Sequence, residues 1–252
     1  MWPWVVQWLP ARGYNRATRA HPGVPRSAAN YAHLVAGRLG LDLVDVTYSG
    51  ATTAHVLTDR QNDAPPQVAV LDGSESLVTV TIGGNDVGYV PMLIAASLPR
   101  PARSLPVLGS WMRDLLDPGA RDRALVQLDE SLKEVGRTIR QLAPRARVFF
   151  VDYLTLLPPP GQSAPPLSDV DAALGRRVAD TLERLTMEAA AATGCELVRA
   201  AAASSTHHAW SEDPWTTKPT KFVLPLPGRP APLHPNAKGM RAVADMVAAQ
   251  AA

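Results

Sequence analysis

Among 252 residues there is a single cysteine, Cys195. An internal disulfide is therefore excluded, as is any metal site built from several thiolates. Set in Gly194-Cys195-Glu196-Leu197-Val198, it reads as a small buried hydrophobe with nothing nearby to lower its pKa. Long apolar runs are missing as well: none approaches the ~20 residues needed to cross a bilayer. Surplus charge is small, +2 at pH 7. The pI near 8.8 rests on that margin, and no Lys/Arg cluster marks a nucleic-acid face. The opening Met1 to Trp8 lacks a basic n-region, and Pro3 and Pro10 interrupt its apolar stretch, so it does not read as a signal peptide.

What remains is an ordinary globular composition, with 46% hydrophobic residues, enough at this length for one sizeable core. Arg supplies 21 of the 25 cations and Ala is abundant, which indicates a GC-rich coding sequence. Residues 1–26 show no period of 2 or 3.6; from Ser27 the text becomes orderly, so the domain is expected over 27–252. Tyr31, Leu34, Val35 and Leu39 share one helical face. Leu41 to Val46, Leu77 to Ile82, Val148 to Asp152 and Glu196 to Arg199 read as strands. Leu125 to Leu142, Ser168 to Thr193 and Asn236 to Ala251 read as helices. Residues 99–106, 157–166 and 201–233 read as loops. This alternation predicts a mostly parallel sheet covered on both faces, with ligands bound at the carboxyl ends of its strands.

Two segments carry chemistry at those ends. In Gly83-Gly84-Asn85-Asp86 the glycines permit a sharp turn and close backbone approach, and Asn85 offers a neutral N–H donor suited to an oxyanion. The same tetrapeptide also suits an ordinary Gly-Asn turn. In Pro232-Leu233-His234-Pro235-Asn236-Ala237-Lys238-Gly239, His234 sits just before a helix, where a loop histidine can serve as a general base. Pro235 is expected at the first helical position, with Asn236 in the first turn.

With Val46 to Thr53, which contains Ser49-Gly50, these segments resemble the signature blocks of the SGNH (GDSL-type) hydrolases. Gly50 matches the glycine of the second block, Gly83 to Asp86 the G-x-N-D of the third, and His234 to Gly239 the H-P-N-x-x-G of the fifth. The resemblance covers about residues 27–252. It implies a three-layer α/β/α, flavodoxin-like fold with about five strands, and a serine ester hydrolase of the carboxylesterase or lipase kind. His234 would be the base, and the Gly50 N–H with Asn85 two parts of an oxyanion hole. No cofactor or metal is implied, the substrate would be a small ester, and a monomer is expected.

The chain departs from the family twice. Members often carry Asp three residues before the histidine; here that position is Ala231, which leaves the carbonyls of Ala231 or Pro232, and more remotely Asp213, to orient the ring. The second departure concerns the nucleophile. The first block, G-D-S or G-S-S, should end the first strand, yet no serine precedes Ser27. Ser27 falls where the next helix begins, Ser49 reads as a turn residue, and no G-x-S-x-G is present.

Residues 1 to about 15 are compatible with a first block read in the wrong frame. Starting each codon at the third base of the one written, the junctions can encode V-A-L-G-S-S-M-A-A-G-P-G. The Val, Ala and Gly at its first, second and fourth places are forced by the genetic code. A divergent N-terminus is the other reading. As written, the chain is expected to be nearly inactive; the rival class is a pseudoenzyme that binds esters or acylated sugars. A phosphate-binding protein is disfavoured, since no loop after the first strand offers enough donors. His207-His208, Arg121-Asp122-Arg123 and Arg176-Arg177 read as solvated groups. Trp210 and Trp215 either line a pocket or close a loop over the core. A cytoplasmic location follows from the text as written, a secreted one if the disturbed start conceals a signal peptide.

Overall fold

The structure is a computed structural model that describes residues 7–10, 30–99, 103, 106–219 and 232–252, with backbone alone for 7–10 and 106–110. Most of the irregular segment 1–26 therefore lies outside the described residues. The order of elements is β1 (Gln7–Pro10), α1 (Tyr31–Leu39), β2 (Val44–Asp45), α2 (Thr53–Leu57), a 3₁₀ turn (Gln67–Val70) and β3 (Glu75–Val80). There follow α3 (Tyr89–Ser97), α4 (Pro106–Leu116), α5 (Pro118–Leu142), β4 (Arg147–Val151), α6 (Asp169–Thr193), β5 (Glu196–Val198), α7 (Ala200–Ala203) and α8 (Ala237–Ala251).

The five strands form one sheet in the order β2-β1-β3-β4-β5. β3, β4 and β5 pair in parallel, whereas β1 runs antiparallel to both β2 and β3. Four strands thus point one way and β1 alone opposes them, so the expected mostly parallel sheet is present. Gln7 faces Asp45 on one side and Thr79 on the other, and the register slips at Leu9/Pro10.

Side chains alternate across a strand, and the sheet's two faces divide the core accordingly. Val78, Val80, Val148 and Phe150 enter one apolar cluster with Leu128, Leu132 and Ile139 of α5 and Val178 and Leu182 of α6. Leu77, Phe149 and Val151 enter the other with Tyr31 and Val35 of α1 and Val243 and Val247 of α8. The result is the three-layer α/β/α arrangement.

Helix boundaries follow local chemistry. Asn30 caps α1 by accepting the His33 N–H at 3.2 Å. Asp117 caps α5 and Pro118 occupies its first turn, where a missing N–H costs nothing. Ser168 caps α6 by accepting the Asp171 N–H. Asn236 is the N-cap of α8, accepting from Lys238 N at 2.8 Å and Gly239 N at 3.0 Å. Pro235 consequently lies outside the helix rather than at its first position, because the carboxamide of Asn236 supplies the better acceptor for the helix's first N–H groups. Beyond the helices given ranges from the sequence, α2, α3, α4 and α7 are also present. α3 buries Tyr89, Met92, Leu93, Ala95, Ala96 and Ser97, so no polar face marks its period.

At the sheet's carboxyl edge, Asp152 follows β4 directly and is 1% exposed. Its Oδ1 accepts the Ala201 N–H of α7 at 2.7 Å, while Oδ2 has no hydrogen-bond partner. Burial pushes its carboxyl up to about 7 against the Ala201 bond, and Glu183 adds to the rise. Nearby, α8 crosses the 207–217 loop so closely that a Cβ on Gly239 would collide with the Trp215 carbonyl oxygen, a backbone atom.

The Asp152 pKa is higher in the folded protein (about 7) than the ordinary 3.8. The folded state therefore holds the extra proton between those values, and stability falls as pH rises through that window. Asp152→Asn keeps the acceptor for Ala201 and removes the buried charge. Urea unfolding at pH 5 and pH 8 should show the variant gaining about 1–3 kcal/mol relative to wild type at the higher pH, and little at the lower. Gly239→Ala should lose about 1–3 kcal/mol through overpacking, read as a lower unfolding midpoint at either pH.

Candidate active site

The turn after β3 is shaped by close approach. Gly83 has φ +104°, and a Cβ on Gly84 would lie 2.8 Å from the Tyr153 ring and hydroxyl. Gly84 N–H donates to the Tyr153 hydroxyl at 3.0 Å. Asn85 Nδ2 donates to the Ala51 carbonyl at 2.8 Å, which brings the 83–86 turn against the 49–53 turn. That bond uses one of the two carboxamide N–H groups. Gly50, at φ +78°, has no hydrogen-bond partner for its N–H among the described residues. Among the described residues, a backbone donor and a carboxamide donor without partners therefore sit on two turns joined by one hydrogen bond.

Three further side chains fix these turns. Asp86 accepts from Thr53 N at 3.0 Å and from Thr53 Oγ1 at 2.6 Å, and burial raises its carboxyl pKa against those bonds. Gln61 Nε2 donates to the Ser49 carbonyl at 3.0 Å. Arg121 Nη1 donates to the Val87 carbonyl at 2.6 Å. Arg121 is 5% exposed, so its reading as a solvated helix face is overturned. It lies on the helix side that faces the 83–88 turn, and Asp114 Oδ2, 3.2 Å from its Nη2, answers its charge.

His234 comes from the opposite side of the chain's path. Thr217 N donates to its carbonyl at 2.9 Å, its own N–H donates to Thr217 Oγ1 at 3.2 Å, and Leu233 N donates to Thr217 O at 3.1 Å. Leu233, 1% exposed at φ 58°, packs in the same apolar cluster as Ala51, Ile82 and Val87. The imidazole Nδ1 lies 2.7 Å from the Pro232 carbonyl oxygen. A carbonyl only accepts, so Nδ1 carries the proton and Nε2 keeps the lone pair. Burial lowers the His234 pKa, opposed by the bond to Pro232. Asp213 does not meet this ring: it pairs with Lys238 and lies 3.6 Å from His207 Nδ1. Ala231 lies outside the described residues.

The remaining candidates resolve as structure. His208 is 5% exposed, with its pKa lowered by burial, and is not a solvated loop residue. His207 stacks on Trp215 at 4.2 Å. Trp210 packs on the main core and donates to the Pro165 carbonyl at 3.0 Å, so both tryptophans close the loop. Among the described residues no group of His, Cys, Asp and Glu has metal-site spacing, and no helix is long and apolar enough to cross a membrane. Cys195 is half-buried rather than buried as expected, and desolvation still raises its thiol pKa. Arg177 pairs with Asp122 at the surface, but Arg176 donates to the Pro158 and Gln162 carbonyls. A cleft of about 290 Å³ lies between α6 and the 153–160 segment, and Tyr153 lines it.

The GDSL-like lipase/acylhydrolase family model matches residues 11–242. Lipase 2 of Streptomyces coelicolor is 32% identical over 230 residues, covering 87% of this chain and 75% of that protein. A lipase of Streptomyces rimosus is 27% identical over 217 residues, covering 85% and 72%. In fold, the chain superposes on phospholipase A1 from Streptomyces albidoflavus with a TM-score of 0.70 at 24% identity, covering 96% and 92% of the two chains. The extracellular lipase of Streptomyces rimosus gives 0.67 at 23% identity, covering 96% and 93%. The matched span, the identity to Lipase 2 and the shared fold agree: this chain belongs to the GDSL-like lipase/acylhydrolase family.

Proposed function

We propose that this fold serves serine-dependent hydrolysis of a carboxylic ester, with lipid esters the substrate class to which the relatives' names point. One observation carries the reading. The Gly50 N–H and the second N–H of Asn85 have no partner among the described residues, and their turns are held together by the Asn85–Ala51 bond. Two fixed donors of this kind stabilise the negative oxygen of a tetrahedral intermediate. His234, neutral and with Nε2 as the free acceptor, takes the proton of the attacking hydroxyl. It then returns that proton to the leaving alcohol, and water repeats the sequence on the acyl-enzyme.

The nucleophile is assigned to a first strand that ends in G-S-S, encoded in the shifted frame of residues 1 to about 15. The slot between β2 and β3 supports this assignment. A strand running parallel to β3 there would finish at the rim where Gly50 and Asn85 lie, whereas Gln7–Pro10 runs the opposite way. The absence of any serine before Ser27 favours a second reading for the polypeptide as written, a cleft that binds esters without turning them over.

A p-nitrophenyl ester assay separates the two. Replacing the first twelve residues by V-A-L-G-S-S-M-A-A-G-P-G should raise kcat by on the order of 10⁶, and His234→Ala should abolish the gain. Codons at the Val5/Val6 and Val6/Gln7 junctions that forbid serine would end the frame assignment. In the restored chain, the acid limb of kcat/KM should fall below the ordinary histidine value of 6.5, because burial lowers the His234 pKa. A limb at or above that value would remove His234 as the base.

A further inference from the structure

The cleft beyond Tyr153 has a charge pattern that ester hydrolysis does not use. Its α6 wall presents Arg176, Asp180 and Glu183 at helical spacing, Tyr89 and Tyr153 flank it, and the leucines and prolines of residues 154–160 make the rest largely apolar. Asp180 and Glu183 have no hydrogen-bond or ion-pair partner among the described residues. Arg176 is occupied as a clamp, its Nε and Nη2 donating to Pro158 O at 2.6 Å and Gln162 O at 3.0 Å.

Tyr89 supplies an independent sign of a missing ligand. It is 1% exposed and lines the cleft, yet its hydroxyl has no partner among the described residues. Behind the wall, the buried Asp152 leaves Oδ2 unpartnered as well. Two carboxylates outweigh one guanidinium, so the charged side chains of the cleft sum to a net negative charge, and its acceptors have no protein partner among the described residues. No metal-like grouping occurs among the described residues. The aromatic residues and apolar floor suit a cation that carries hydrocarbon, since aryl faces attract such groups and a cavity of this size matches a small molecule.

We infer that this cleft binds a small organic cation of the choline type, its ammonium set between Tyr89, Tyr153, Asp180 and Glu183 and its carbon chain against the 154–160 segment. The inference needs no turnover, so it stands or falls apart from the hydrolase reading. Calorimetric titration of the full chain with choline tests it, with 3,3-dimethylbutan-1-ol as the uncharged compound of the same shape. Choline should bind about tenfold or more tightly than the alcohol. The double substitution Asp180→Asn, Glu183→Gln should weaken choline by a similar factor and leave the alcohol unchanged. Both positions are solvent-facing or half-buried, so an unchanged unfolding midpoint certifies the variant. No saturable heat with choline would overturn the inference. So would equal binding of the two compounds, which describes an apolar hole, or choline binding that survives the double substitution, which places the cation elsewhere.

Discussion

The candidate site depends on the hydrogen bonds that a strand supplies in the slot between β2 and β3. In the middle of a covered sheet, unpaired N–H and C=O groups are costly, so the slot must be filled for the flanking strands to keep their places. Gln7–Pro10 fills it in the antiparallel sense, and Pro10, which has no N–H, falls where the register slips. The backbone requirement is thus met with little demand on sequence or direction. Direction decides a separate matter: a strand parallel to β3 would bring the residue after it to the rim where the two glycine turns lie, and Gln7–Pro10 runs the other way.

Around that rim, rigidity comes from ties between neighbouring loops. Asn85 reaches Ala51, Asp86 reaches Thr53, Gln61 reaches Ser49 and Arg121 reaches Val87. Each tie fixes a backbone segment with a buried or half-buried polar side chain, and none of them uses the Gly50 N–H. Donors that are already oriented need no reorganisation when negative charge develops. The His234 segment is held in the same manner from its own side, by Thr217 and by the Asn236 contact to the Pro214 carbonyl at 2.6 Å.

Legibility in the sequence tracked the kind of signal involved. Strand β3 showed itself through a run of apolar and β-branched residues, and α6 through its 3.6 period from Ser168 on; α5 was legible only from Leu125, seven residues after its start at Pro118. Gly50, Asn85 and His234 stand out as candidates in the sequence because each lies in a short motif between elements. α3 was not legible, because a helix apolar on every side and containing Pro91 has no amphipathic stripe. Arg121, Gln61 and Thr217 were unreadable for a different reason: their partners are backbone carbonyls and amides far along the chain, which no local pattern announces. Asp152 gave no sign either. Its burial arises from α7 folding over the end of β4, a tertiary event.

The bond from His234 Nδ1 to the Pro232 carbonyl has an evolutionary corollary. An imidazole steered by a carboxylate can be disarmed by a single nucleotide change at the acidic residue, whereas a main-chain oxygen is present whatever side chain position 232 carries. The steering group is therefore encoded by loop shape, with Leu233 held at a positive φ. Drift in this lineage would be expected to tolerate varied residues beside the histidine while resisting insertions or deletions between positions 232 and 236.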